Sequence, residues 1–218
     1  LALDGLSDDL KPVFTAGLAI LIGIFKSLDI SEMAFSSSAL REGVLYEMED
    51  NLQHQDIRER SAQSLAMRYD VDVAHAKRVL STTTNLYQQV KKSWEINQQD
   101  FKNLLGWAAL LHEVGLQINT RGIQRHSSYV LQNVDLPGFS QEQQVLLATL
   151  ARFHRKKIKL IDMPEFTTFH QDQVYKLISL LRIGVLLNIK RQDDILPEIL
   201  IKTYGSQIYV QFPDGWLT

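Results

Sequence analysis

The sequence predicts a mainly α-helical protein, on three observations. Apolar residues recur at i, i+3, i+4 and i+7 through Arg60–Arg68, Ala74–Val90, Phe101–Leu116, Gln141–Phe153 and Gln173–Leu187. Short punctuators, at Gly115, Gly122, Leu136-Pro137-Gly138 and Met163-Pro164, separate these runs as in a bundle with tight connections. The periodicity then changes at the C-terminal side, where Ile199–Tyr204, Gly205-Ser206 and Gln207–Phe212 read as a β-hairpin with a two-residue turn.

Upstream of the bundle, Val13–Leu28 is an apolar run rich in helix formers and Ile30–Ser36 is short enough for a strand. Ser36-Ser37-Ser38 supplies an N-cap for a helix running from Ala39 through Met48. A helix-strand-helix piece of this size cannot cover both faces of a sheet, so it is expected to complete a domain whose other strands lie elsewhere. The division is 1–50 for this piece, 51–192 for the helical domain and 193–218 for the start of a small β-containing domain. The chain begins at Leu1 and stops at Thr218 just after the hairpin, and is expected to be part of something longer.

Composition sets outer limits. A chain that is 45% hydrophobic and 22% charged can build a sizeable core. A net charge of -2 gives no bulk attraction for a polyanion such as nucleic acid, so any anion site must come from local clustering. With no cysteine, thiolate metal sites are excluded and a reducing, cytoplasmic compartment is expected. The run Val13–Phe25 is too short to span a bilayer, so no transmembrane segment is expected.

Four of the six histidines, His75, His112, His126 and His154, sit at suggestive places in or beside the helical segment. His112 lies in Gly106–Leu116, apolar on nearly every side, and a buried imidazole beside Glu113 must be hydrogen-bonded. A satisfied core histidine and a metal or phosphate ligand both meet that demand. The strongest positive cluster is Arg152-Phe153-His154-Arg155-Lys156-Lys157-Ile158-Lys159, which carries no acid. Arg121, Arg125 and His126 are expected to join it from a loop between two helices. Lys190-Arg191 is a weaker cluster and Lys91-Lys92 plain surface.

The spacing of His75, His112-Glu113, His126 and His154 resembles the HD superfamily of helical metal-dependent phosphohydrolases. Two departures argue against a working metal centre: Glu113 stands where that family has aspartate, and Val185 takes the place of its distal aspartate, which an aliphatic side chain cannot replace as a ligand. His75, His112 and Glu113 are therefore read as a remnant, with no metal expected. A more specific resemblance runs through Ala39–Met48, Leu111–Leu116, Arg125–Leu131 and Asp135–Phe139, which together resemble the exopolyphosphatase and guanosine pentaphosphate phosphohydrolase family over nearly the whole chain. Within it, Ala148–Lys156 looks more like the exopolyphosphatase branch.

That resemblance implies a longer protein with two actin-like (ribonuclease H-like) domains, an HD-like helical domain and a small C-terminal domain. Residues 1–48 would end the second actin-like domain. The glycine-rich phosphate loops, the catalytic glutamate and an Mg2+ site would lie outside this chain, leaving no catalytic residue within it. The implied activity is processive release of orthophosphate from inorganic polyphosphate, in a cytoplasmic homodimer that is soluble or peripheral at the inner membrane. The helical region would hold the polymer through Arg41, Arg121, Arg125, His126, Arg152, His154, Arg155, Lys156, Lys157 and Lys159, much as basic tracks hold nucleic-acid backbones. Two alternatives stand beside it, guanosine pentaphosphate as substrate and a purely structural or dimerisation module.

Overall fold

A computed structural model describes residues 11–33, 56–193, 195–205 and 207–216, which fall into two compact units, 1–37 and 38–218. In the first unit, helix α1 spans Lys11–Leu28. Asp29, at φ 52°, turns the chain left-handed so that the Ile30 amide donates back to the Phe25 carbonyl at 3.0 Å, a common helix stop. The strand expected from Ile30 does not begin there, since Ile30–Met33 are irregular. Arg41 and the helix expected over Ala39–Met48 lie outside the described residues. At 18 residues and a mean hydropathy of 1.5, α1 is long and apolar enough to cross a membrane by length and composition, a test that core helices of soluble proteins also pass. The expectation that this run is too short is corrected to that extent.

The second unit is the helical domain. Helix α2 (Ile57–Arg68) starts at Asp56, whose carboxylate accepts from the Arg58 amide, and buries Ala62, Leu65 and Ala66. Helix α3 (Val73–Val90) starts at Asp72, which accepts from the His75 amide at 2.9 Å. Its core face is the helical series Ala76, Val79, Thr83, Leu86, Tyr87 and Val90. Helix α4 (Gln99–Leu111) is deeply enclosed, with Leu104, Ala108, Ala109 and Leu111 wholly inaccessible.

The sequence suggested that α4 continues to Leu116. It stops at Leu111, because the His112 ring donates from Nδ1 to the Ala109 carbonyl and the chain tightens into a 3-10 turn over Val114–Gln117. Helix α5 (Ile123–Asn133) follows, where a loop was expected. Its start is a left-handed Gly122 and lacks a side-chain cap. The Leu136–Phe139 turn, with Gly138 at φ 88°, leads to a capping box between Ser140 and Gln143 that opens α6 (Gln141–Phe153). Helix α7 (Gln171–Leu187) packs on α3, where Gly184 sits against Thr83.

The hairpin forms as read, with strands β1 (Leu200–Tyr204) and β2 (Gln207–Gln211) pairing antiparallel from Tyr204↔Gln207 to Leu200↔Gln211. Two strands are marginal alone. Here the Gln89 side chain of α3 donates to the Ile199 carbonyl and accepts from the Ile201 amide, both at 2.9 Å, and Ile199 and Ile201 enter the helical core.

At Gly115 the neighbour is backbone: a Cβ would lie 2.3 Å from the Ser127 amide nitrogen and 2.7 Å from the His126 carbonyl carbon. Backbone cannot move aside as a flexible side chain can, so Gly115→Ala is expected to cost roughly 1–3 kcal/mol, read as a lower urea midpoint. A wild-type midpoint would show that the α5 start moves freely.

Candidate functional site

Three helix ends bring the histidines together. His75 sits in the first turn of α3, oriented by the Asp72 cap, while His112 and His154 occupy the C-terminal caps of α4 and α6. Each of these last two donates from Nδ1 to the carbonyl three residues earlier, His112 to Ala109 at 2.8 Å and His154 to Ala151 at 2.7 Å. A helix C-terminus leaves carbonyls without amide partners, and an imidazole at that position satisfies one of them. The same bond fixes the tautomer: in the neutral ring, Nε2 is left as a lone-pair acceptor.

The rings form a row. His75 and His112 have centroids 5.7 Å apart, and His112 meets His154 edge-on at 5.1 Å. All three are buried, at 3%, 1% and 3% exposure. Burial disfavours the charged form, pushing His112 down to about 4 and His154 to about 3, and it also lowers His75 against the opposing pull of Glu113. The row is neutral at physiological pH. Its weak points are His75 Nδ1 and His112 Nε2, both buried and without a hydrogen-bond partner among the described residues.

One ligand atom each from His75, His112 and Glu113 lies within 4.8 Å of the others, a spacing a metal ion can bridge. The residues around them do not fit a resident ion. Arg191 Nη2 holds both oxygens of Glu113, at 2.7 and 2.8 Å, and its Nη1 reaches Asp72 at 3.0 Å. A guanidinium nitrogen donating to both carboxylate oxygens competes with a metal for their lone pairs. It also puts a positive charge beside the place: unit charges 4 Å apart repel by about 4 kcal/mol at an effective dielectric of 20, and a divalent ion doubles that. Val185 stands in the wall of the same cavity where a fourth oxygen ligand would be required.

The basic cluster does not form one track. His154 is corrected from a polyanion contact to a member of the buried imidazole row. Arg152 donates to Asp162 at 2.7 Å and lines a cavity of about 410 Å3 with Arg125, Tyr129 and Gln132. Arg155 and Lys156 line a different cavity of about 570 Å3, with His75, Glu113, Arg182 and Arg191. Lys157 and Lys159 are exposed. Arg125 and His126 belong to the first turn of α5, not a loop, and His126 Nε2 donates to the Arg121 carbonyl at 3.2 Å, away from the imidazole row. Arg121 is exposed just before that helix.

Two residues escaped sequence reasoning. Arg182 donates from Nη1 to the Phe153 carbonyl at 2.8 Å and the Lys156 carbonyl at 2.7 Å, tying α7 to the end of α6. The signal was present: a lone arginine inside the apolar run Leu180-Leu181-Arg182-Ile183 must find acceptors. Arg191, counted only as a weaker basic residue, sits at φ 52° and closes on Glu113, a contact across 78 positions that no local pattern announces.

The row's neutrality carries a pH signature. The folded-state pKa values of His112 and His154 lie below the ordinary 6.5, so protons favour the unfolded chain. Their contribution to stability is complete above pH 6.5 and is lost as pH falls toward about 4 and about 3. On the order of 3 kcal/mol is at stake for His112 alone. Urea midpoints measured between pH 7 and 4.5 are expected to fall steeply in the native chain and less steeply in His154→Gln; equal slopes would show that His154 is not held neutral.

Comparison with known proteins agrees with this architecture. Residues 57–218 match the model of Ppx/GppA phosphatase, domain III, and residues 1–52 match that of the Ppx/GppA phosphatase family. A guanosine-5'-triphosphate,3'-diphosphate pyrophosphatase of Pseudoalteromonas translucida is 41% identical over all of this chain, and one of Aeromonas hydrophila is 35% identical over all of it. The chain spans 44% of the length of each, and both carry the name of the guanosine pentaphosphate branch, where the sequence around Ala148–Lys156 had suggested the exopolyphosphatase branch. With the helical domain and the upstream segment matching models of one family in chain order, the chain belongs to the Ppx/GppA phosphatase family.

Proposed function

We propose that the whole protein removes the terminal phosphate of guanosine pentaphosphate, with this chain supplying the helical domain that grips the phosphates. The observation that carries this reading is the 41% identity, over the full chain, to a relative named for that substrate. Hydrolysis itself, with its Mg2+, is assigned to residues outside this chain. Neither the neutral imidazole row nor the Arg191–Glu113 pair offers an activated nucleophile or a general base near neutral pH.

Inorganic polyphosphate remains a second reading because of one feature. Arg155, Lys156, Lys157 and Lys159 are exposed, and among the described residues none of the four forms an ion pair. Free cations in a row suit a ligand whose negative charges repeat, with affinity that falls steeply as salt rises. A homodimer, also proposed, would set two such surfaces in one particle.

Phosphate release by the full-length protein from guanosine pentaphosphate and from long-chain polyphosphate decides between the readings. A higher kcat/KM on the nucleotide is expected, with KM raised at least several-fold on either substrate by Arg155→Glu with Lys156→Glu. A higher kcat/KM on polyphosphate would reverse the assignment. Unchanged KM in the double variant would remove this domain from substrate holding.

A further inference from the structure

The larger cavity has a composition that phosphate holding alone does not require. Four cations line it, Arg155, Lys156, Arg182 and Arg191, against one carboxylate, Glu113, which Arg191 already engages. Arg182 is spent on the Phe153 and Lys156 carbonyls. Those two bonds hold the turn in which Lys156 takes φ 67°, a conformation that is strained for a non-glycine residue and survives only where neighbours enforce it. The enforced turn leaves the side chains of Arg155 and Lys156 at the cavity, with no carboxylate partner among the described residues.

The same cavity also has an aliphatic lining. Ile183, Val185, Leu186 and Ile189 line the same space, and Leu186 and Ile189 are 66% and 70% exposed. A bare polyphosphate chain gains nothing from such a wall, because every face of it is charged. A ligand with phosphates at one end and a planar apolar face at the other satisfies both halves. The volume, about 570 Å3, falls inside the range of small-molecule sites.

We propose that this cavity seats a nucleoside polyphosphate, its phosphates on Arg155 and Lys156 and its ring system against Leu186 and Ile189. The inference rests on the nucleotide reading of the substrate and adds to it the place where nucleotide is told from inorganic phosphate chains. Linear phosphate shares only the cationic half of the seat. A substrate analogue lacking one half of a two-part site loses that part of its affinity and keeps the rest.

Amide hydrogen exchange of the full-length protein, with GTP and inorganic tripolyphosphate as probes, tests the seat. GTP is expected to slow exchange in both 153–157 and 183–191, and tripolyphosphate in 153–157 alone. Leu186→Ser with Ile189→Ser, at exposed positions that the core does not use, is expected to weaken GTP protection about tenfold in concentration and leave tripolyphosphate unmoved. Arg155→Glu with Lys156→Glu is expected to weaken both. Equal protection by the two probes, or GTP protection indifferent to the serine variant, would overturn the ring seat, as would no protection at either segment. Turnover separates this failure from that of the substrate reading: a protein that prefers guanosine pentaphosphate yet shows no GTP footprint here loses only the seat.

Discussion

The Arg191 fork is the contact on which the organisation of this domain turns. Its guanidinium joins the cap of α3 through Asp72 and the turn after α4 through Glu113, and it arrives from the segment that follows α7. Three elements distant in sequence are thus fixed at the point where three imidazoles are buried. Glu113 would otherwise be a carboxylate beside neutral histidines in a largely apolar surround. A half-buried charge with no partner costs several kcal/mol, and a bidentate partner removes most of that cost. The geometry of an ion-binding cluster persists, while the charge that completes it is supplied by the protein's own side chain.

This substitution has a consequence for chemistry. A cluster of lone pairs around a divalent ion activates water, whereas the same cluster around a guanidinium only holds shape. Under the function proposed above, the helical domain serves as a binding module. Its positive side chains line two cavities, Arg125 and Arg152 one and Arg155 with Lys156 another.

Much of this was legible in the sequence, for reasons that can be named. The long amphipathic helices repeat their apolar residues over three or more turns, and the Gly205-Ser206 turn announces its hairpin. Val185 marks, in the sequence itself, a position where an aliphatic side chain cannot ligate a metal. Helix α5 was missed because it lacks a side-chain cap and carries Arg125 and His126 in its first turn, which look like loop residues. His154 misled for a related reason. It lies between phenylalanine and arginine in a basic run, yet as the cap of α6 it turns inward onto the Ala151 carbonyl, buried like Phe153, while Arg155 is exposed. Charge pattern along a chain says little about direction at the residue where a helix ends. The pairing of Arg191 with Glu113 was beyond reach, since it depends on how α7 returns past α3 and not on any local spacing.

The central claim is that Arg191 stands in for the metal, and direct titration tests it. Manganese and zinc uptake by the full-length protein and by Arg191→Ala, followed by calorimetry with elemental analysis of the gel-filtered samples, isolates this place when His112→Ala is run alongside as its reference. The account predicts no His112-dependent ion in the native protein and a gain of one in Arg191→Ala, where Glu113 is set free beside His75 and His112. A stoichiometric ion in the native protein that disappears in His112→Ala would contradict it.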